Sequence, residues 1–414
     1  MEGGENMQVF QTKIYPTKNQ VRYFRKCFGL RRWYWNWALE TYIKTLNETG
    51  EYLSNYSLAK KMNNEVLNKD VYSWAKQCNG TIRKQVFLEL NTAWKSYYKS
   101  QKEARKTTSH IDSEKYKPQF KSKKKSTNSF TMQKTTSSTF ARIDNRYFSI
   151  PMYGNSRWTK PMSLKLAENI NFLKDDNIDI KLVTIKEHPI NTFTIFITYE
   201  RTNHKVNKPN TNTKIGIDMG MKTPLTCYDG ENSYKLNPLD RIKKAERKRD
   251  KYNKKLSKKL ESYKKQQKKK AYNKGFKYRE SKRYLKNKQK LQKAYQKEEN
   301  IKKDFREKTT TWLVTNYHTI NIEPFTNGFK KSNRAVARIS QYLFYERLKQ
   351  KAELYDTIIN WISWEPTTQT CSSCGHRFIN EEKLTLNNRK YICPNCNLTL
   401  DRDINASINI YNLK

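Results

Sequence analysis

Residues 7 to 16, MQVFQTKIYP, alternate apolar and polar positions and stop at Pro16, which is the pattern of a strand. Thr17 in TKNQ then offers a helix N-cap. From about 18 to 105 the apolar positions recur at helical spacing, in VRYFRKCFGLRRWYWNWALETYIKTL, SLAKKMNNEVL and IRKQVFLELNTAWKSYYKSQKEARK. Trp33, Trp35, Trp37 and Trp94 read mostly as helix-bundle core, and Arg22, Arg25, Arg31 and Arg32 between them as candidate phosphate contacts. Residues 106 to 135, rich in Lys, Ser and Thr, read as a loop. Short strands resume with SFTMQ, RYFSIPMYG, IDIKLVTIKEHP and NTFTIFITYE, and the last two predict a hairpin around EHPIN. A strand at residue 7 and several after 128 predict one β-domain with a helical insertion. NKPNTNT, 207 to 213, reads as a linker and the main domain boundary.

Beyond that boundary, KIGIDMGMKTPLTCYDG predicts a strand that delivers Asp218, followed by a Gly-containing turn and a second strand. HTINIEPF predicts a short strand ending at Glu323. LDRDINASINIYN predicts a helix beginning near Asp401 to Asp403, with an apolar face at Ile404, Ile408 and Leu413 and the small Ala406 allowing close packing. Each acid alone has a plain structural reading: a tight hairpin, a surface strand end, a helix cap favoured by the dipole. Together they are three carboxylates on separated elements, the donor set that two Mg²⁺ ions about 4 Å apart require for phosphodiester hydrolysis.

Composition sharpens this. The 414 residues are only 36% hydrophobic, yet 9 Trp, 27 Tyr and 17 Phe exclude a disordered polymer. The formal charge is +44, a self-repulsion that a polyanion must offset, which points to nucleic acid. Half of that excess sits in residues 241 to 308, with 30 Lys+Arg against 8 Asp+Glu, a net of +22. This stretch predicts a hairpin of two long basic helices, with Gly275 as a breaker and aromatics (Tyr252, Tyr263, Tyr272, Phe276, Tyr278, Tyr284, Tyr295) placed among the cations. No signal peptide, membrane span or membrane partner is expected. The cysteines carry the most specific pattern. Cys371-x2-Cys374, then 18 residues, then Cys393-x2-Cys396 is a four-thiolate spacing for one structural Zn²⁺, with Gly375 and Asn397 after each pair as knuckle turns favour and His376 as a possible competing ligand. Cys27, Cys78 and Cys227 are scattered and read as buried free thiols in a reducing compartment.

In their order, GIDMGMK, NIEPF, TTQTCSSCGHRF and CPNCNLTLDRDINASINI, with TKIYPTKNQ, FGLRRWYWNWAL and FYERLKQKAELY, resemble the TnpB (OrfB) family of transposon-encoded RNA-guided nucleases. Compact type V CRISPR effectors and Fanzor proteins share that ancestry. The resemblance implies a multidomain α+β and α/β protein: a β-barrel wedge domain in two parts (1–17 and 111–206) around a helical recognition insertion (18–110). A split RuvC-like (RNase H-like) nuclease (207–366 and 399–414) follows, with the long basic helices 241–308 and an interrupting zinc ribbon (367–398). It implies Asp218, Glu323 and Asp403 as catalytic and Mg²⁺-holding acids, with Asp401 in a supporting place behind them. The implied partners are a guide RNA of the omega-RNA kind and target double-stranded DNA, read by base pairing beside a short protein-read motif. Candidate nucleic-acid contacts are Arg31, Arg32, Lys330, Lys331, Lys254, Lys258, Arg279 and Arg283. A monomer in the cytoplasm is expected, associated with the nucleoid in a prokaryote or nuclear for a eukaryotic or viral element. The alternatives are a nuclease-silent, guide-dependent repressor of the same fold, a guide-independent zinc-ribbon nucleic-acid binder, and a strand-transferring transposase.

Overall fold

A computed structural model of the chain describes residues 7–106, 116–123, 126–134, 143–152, 161–188, 191–201, 212–220, 223–270, 281–323, 338–362, 366–379, 384 and 389–413. Gly275, Arg279, Lys330, Lys331, Tyr272, Phe276, Tyr278 and the side chain of Tyr263 lie outside the described part. The chain divides into two compact units, Met1–Asn203 and His204–Lys414.

In the first unit β1 (Met7–Ile14) leads directly into α1 (Lys18–Thr49). The predicted cap is present as a capping box: Gln20 N donates to Thr17 Oγ1 at 3.3 Å and Thr17 N donates to Gln20 Oε1 at 3.0 Å. The helix stops at Gly50, whose φ of 72° supplies the left-handed cap. Then come α2 (Asn55–Met62), a short π-turn and 3₁₀ segment, and α3 (Gly80–Lys106). The strands are β2 (Ser129–Gln133), β3 (Ile143–Asp144), β4 (Tyr147–Ile150), β5 (Met162–Lys165), β6 (Ile178–His188) and β7 (Thr192–Arg201). β1, β7, β6 and β2 form an antiparallel sheet in that order, and β3, β4 and β5 a smaller one. The hairpin read around EHPIN is the β6–β7 pair.

The helices and the four-stranded sheet share one core. Phe24 of α1 packs on Phe130 and Phe193, with ring centroids 5.9 and 5.7 Å away. Trp35 and Trp94 are buried as expected, whereas Trp33 and Trp37 are only half-buried against that core. Trp33 instead meets Trp74 edge-on at 4.8 Å, and Trp74 is itself partly exposed. Cys27 and Cys78 are buried and unpaired by any disulfide, as is Cys227 in the second unit.

The second unit holds β8 (Lys214–Asp218), β9 (Leu225–Tyr228), β10 (Ser233–Leu236), α4 (Leu239–Lys270), α5 (Lys282–Asn316), β11 (Thr319–Ile322), α6 (Gln341–Tyr355), β12 (Ile358–Trp361), β13 (Lys390–Ile392), β14 (Thr399–Asp401) and α7 (Arg402–Asn412). Its main sheet runs β10-β9-β8-β11-β12. β8, β9 and β10 pair antiparallel as a meander, while β8, β11 and β12 run parallel. A central strand hydrogen-bonded on both sides should be nearly continuous in apolar residues. KIGID is, with Ile215 and Ile217 fully buried. They share a core with Leu225, Ile320 and Ile322 of the sheet, Leu313 and Val314 of α5, and Phe344 and Leu348 of α6.

Between the meander and β11, α4 and α5 carry some of their acids at covered positions. Buried Glu298 accepts from Arg249 Nη1 at 2.6 Å and Lys302 Nζ at 2.7 Å, and Glu246 pairs with Arg338 at 3.0 Å. The lysines left over face outward, Lys254 and Lys258 on α4 among them, as does Arg283 on α5. Among the described residues no helix is long and apolar enough to cross a membrane.

Candidate active site

Strand register brings the first two acids together. β8 and β11 are parallel, with Ile217 opposite Ile322. The next residue on each chain is Asp218 and Glu323, so the two side chains leave neighbouring strands, about 4.8 Å apart, on one face. On the other side of β8, Asp218 is registered with Thr226 of β9. Thr226 is fully buried and its Oγ1 has no hydrogen-bond partner.

The third acid arrives on α7, which lies over β8 because residue 216 is glycine. A Cβ there would stand 2.4 Å from Tyr411 N and 2.5 Å from Ser407 O, both helix backbone atoms. This close approach sets Asp403, in the first turn of α7, beside Asp218. A Cβ built on Gly220 would lie 2.7 Å from Thr223 O, 3.5 Å from Asp403 Oδ2 and 3.8 Å from Asp218 Oδ2, so both carboxylates face a stretch of backbone where a side chain would not fit.

Asp218 and Asp403 are buried, at 6% and 5% exposure, and Glu323 is partly buried. Burial and the neighbouring charges of Glu323 and Asp403 push the Asp218 carboxyl well above its ordinary range, against a smaller opposing pull from Arg402. Burial also raises Glu323, partly offset by Thr367, whose hydroxyl donates to its Oε1 at 3.1 Å. Three convergent acids, two of them with raised carboxyls and two of them facing the bare backbone of Gly220, and an orphaned hydroxyl alongside fit a divalent-cation site. Tyr345 of α6 supports the strand end by donating to the Glu323 carbonyl at 2.6 Å.

Asp401 does something different. It is the N-cap of α7, accepting from Asp403 N at 3.0 Å and Ile404 N at 3.4 Å, and it is paired with Lys235 Nζ at 2.8 Å. Burial raises its carboxyl, but the hydrogen bond and charge of Lys235 and the backbone donors outweigh this and hold it below the ordinary range. The buried face of α7 also differs from the expected Ile404, Ile408, Leu413 stripe, which is only half-buried. Its fully covered side carries Asn405, Ala406, Ser407 and Ile410. Small and polar residues serve there because the helix must approach β8 closely and bind the neighbouring chain. Asn405 Nδ2 donates to Thr370 O and Asn409 Nδ2 to Thr367 O, each at 2.7 Å, while Ser372 N donates back to Asn405 Oδ1 at 3.0 Å.

Those bonds anchor the cysteine-bearing segment to the helix that carries Asp403. The four cysteine Sγ atoms lie within 4.8 Å of one another and could hold a metal ion. Two knuckle turns shape them. Gly375 N donates to Cys371 O and Asn397 N to Cys393 O, both at 3.0 Å, and both turn residues have positive φ, 73° and 58°. Cys371 and Cys393 are buried; Cys374 and Cys396 are exposed. Hydrogen bonds from the His376 backbone and the Asn395 side chain lower the Cys374 thiol to about 6, while, against the pull of the Leu398 backbone, the neighbouring thiols raise Cys396 to about 11. The remaining candidates are placed as follows. Arg31 is ion-paired with Glu89 at 2.5 Å and largely covered; Arg32 donates to Asn128 at 3.0 Å. Lys254, Lys258 and Arg283 are exposed.

One neighbour of the acids had no sequence signal. Arg389, between the two cysteine pairs, donates through Nη1 to Asp403 Oδ2 at 3.0 Å and Oδ1 at 3.3 Å. Only the pairing of β13 with β14 puts it there.

Comparison with known proteins gives three family models on separate segments. "Helix-turn-helix domain" of the OrfB_IS605 type matches residues 7–51, "Probable transposase" of OrfB_IS605 matches 196–329, and "Cas12f1-like, TNB domain" matches 342–410. "Putative transposase R186" of Acanthamoeba polyphaga mimivirus is 30% identical over 48% of this chain and 39% of its own length. "TnpB-like protein L79" of the same virus is 26% identical over 56% of this chain and 42% of its own length. The chain thus matches less than half the length of these viral relatives. "Putative RNA-guided DNA endonuclease" of Streptomyces pristinaespiralis is 24% identical over 97% of this chain and 88% of its own length. Among solved structures, one titled "Cryo-EM structure of the Cas12f1-sgRNA-target DNA complex" aligns over 98% of both chains with a TM-score of 0.49 and 15% identity. The resemblance to the TnpB (OrfB) family read from the motifs is shown by the family models and named relatives.

Proposed function

We propose that this chain, similar to the TnpB (OrfB) family in three separate segments, is an RNA-guided, Mg²⁺-dependent DNA endonuclease with a RuvC-like nuclease fold. In this reading the wedge-like sheet and helices of residues 1–206 and the basic α4–α5 hairpin hold a guide RNA and its hybrid with target DNA. A short target-adjacent motif is read by the protein. The observation that carries the proposal is the meeting of Asp218 with Glu323 by strand register and with Asp403 across Gly220, in a chain whose net charge is +44. A meander of three strands followed by two parallel ones, with the acids on the central strand, its parallel neighbour and a closing helix, supports the RuvC-like assignment.

Asp218, Glu323 and Asp403 would together hold the divalent ions. When bound, the divalent ions supply an activated water and neutralise the charge that develops on the leaving oxygen. The protein's own contribution is positional. β8 and β11 fix two carboxylates by register, Thr367 and Tyr345 fix the direction of the β11 end, and Gly216 fixes the height of α7. Zn²⁺ suits the thiolate cluster. A tetrahedral site with Zn–S of about 2.3 Å has sulfur–sulfur edges of about 3.8 Å. Cys371 to Cys396 and Cys374 to Cys393 are both 3.6 Å. Four thiolates leave no open position, so this ion would be structural.

The test is purification with co-transcribed RNA, sequencing of that RNA, and incubation with DNA matching its variable end. A defined transcript and Mg²⁺-dependent cutting at the matching DNA are expected. Cutting that persists after the RNA is stripped would reject guidance.

A further inference from the structure

The side chain nearest to the acids from the cysteine ribbon is a cation. Arg389 precedes β13, and its carbonyl accepts from Arg402 N at 2.9 Å, which extends the β13–β14 ladder by one pair beyond Lys390 opposite Asp401. That extra pair sets Arg389 across from the residue just before Asp403. A slip of one residue would turn the side chain to the other face of the ribbon. The register is closed at its far end by the Cys393–Cys396 knuckle, so the thiolate site fixes where this guanidinium sits.

Arg389 Nη1 contacts both oxygens of Asp403, and Arg402 Nη2 approaches Asp403 Oδ1 at 3.5 Å. Asp403 Oδ2, the atom held by Arg389 at 3.0 Å, is also the Asp403 oxygen turned toward Gly220 and Asp218, 3.5 Å from a Cβ built on that glycine. The guanidinium and a divalent ion bridging Asp218 and Asp403 therefore call on the same oxygen. The grip is incomplete: Arg389 Nε is buried without a hydrogen-bond partner, and the side chain keeps 29% exposure, a route outward. A latch of this form costs less to open than a fully bonded pair, because one donor is already unmatched.

We propose that Arg389 is a latch on the carboxylate site: it neutralises Asp403 in the metal-free protein and competes with the divalent ion for Asp403 Oδ2. The inference rests on the metal-binding reading of the three acids. Its consequence is that divalent affinity is set partly by a residue of the cysteine ribbon. An intact ribbon weakens the first ion's binding in the free protein.

Mn²⁺ binding to the purified full chain, read by the loss of the free-ion electron paramagnetic resonance signal, tests it. Arg389→Gln should bind Mn²⁺ roughly tenfold more tightly than wild type, since a charge-assisted hydrogen bond to a buried carboxylate no longer has to be broken. Arg389→Lys, which keeps the charge but not the two-oxygen contact, should fall between them. It also serves if Arg389→Gln fails to fold, with zinc content as the measure of an intact ribbon. Equal Mn²⁺ affinity in the three proteins, or weaker binding in Arg389→Gln, overturns the latch. Asp403→Asn separates the two readings. If it weakens Mn²⁺ binding while Arg389→Gln has no effect, the carboxylate site stands and the latch fails. If Mn²⁺ binding is indifferent to Asp403, the site itself fails and takes the latch with it.

Discussion

The second unit contains two clusters of anionic donors built on opposite plans. The four thiols come from two short turns, Cys371–Cys374 and Cys393–Cys396, each shaped by its own backbone and each half exposed. The three carboxylates come from a central strand, a parallel neighbour and the closing helix, and burial with the charges of Glu323 and Asp403 raises the proton affinity of Asp218. A metal ion held by all four thiols would have no position left for a reaction. The carboxylate cluster is an arrangement that folding alone does not favour, sustained by Arg389, Arg402 and the packing of α7 on β8. Convergent acids with raised carboxyls suit the proposed reactive site, and saturated local geometry suits a brace.

The largest break in this contrast should come from Asp403→Ala. We expect DNA cleavage to fall by about 10³-fold, the order seen when a charge-stabilising group is removed from a reacting centre, while RNA binding is retained in a filter or gel assay. Cys393→Ser attacks the brace instead. It should abolish zinc content, lower the melting temperature and reduce cleavage together, because the Asn405 clamp that ties the ribbon to the helix carrying Asp403 loosens with the ribbon. Gly216→Ala should cost about 3 kcal/mol of stability, since its Cβ meets helix backbone that cannot rotate away. Denaturant unfolding reads this, and cleavage should fall with it as α7 lifts.

The smallest and most discriminating effect is on the metal-free protein. The Asp218 carboxyl is raised above its unfolded value, so the folded chain binds more protons than the unfolded one across that interval. Its contribution is therefore fully present below the ordinary carboxylate range and is lost as pH rises through the raised value. Asp218→Asn should remove this dependence and raise the stability of the metal-free protein near neutral pH. Divalent ions should flatten the same dependence in wild type.

How far each cluster could be read in advance follows from the same difference. The cysteine spacing is local, and so is its geometry: a Gly or Asn after each pair permits the positive φ the turn needs. The strands ending in Asp218 and Glu323 were also legible, because buried β-branched runs that stop at an acid stand out in a Lys-rich chain. Their side-by-side placement was not, since it depends on a parallel register set by the whole α4–α5 crossover. Arg389 and Thr226 were invisible for the same reason: nothing near either in the sequence points at an acid, and only β13–β14 and β8–β9 pairing puts them there. The polar buried face of α7 ran against the apolar stripe read from Ile404, Ile408 and Leu413, because close packing against Gly216 asks for small residues and the asparagines bind backbone carbonyls. In the first unit the Thr17 cap and the β6–β7 hairpin were local signals and appeared as read, the cap with Gln20 added as a capping box. The half-exposure of Trp33 and Trp37 depended on how the helices pack.

The most direct measurement is cleavage of matching DNA by the RNA-loaded protein in Mg²⁺, with Glu323→Gln beside wild type. Glu323 is the acid whose membership in the site rests wholly on strand register, and the substitution keeps its shape and its contact with Thr367 while removing the charge. The account predicts cutting by wild type alone, with both proteins retaining RNA and DNA. Cutting by Glu323→Gln at the wild-type rate would contradict it.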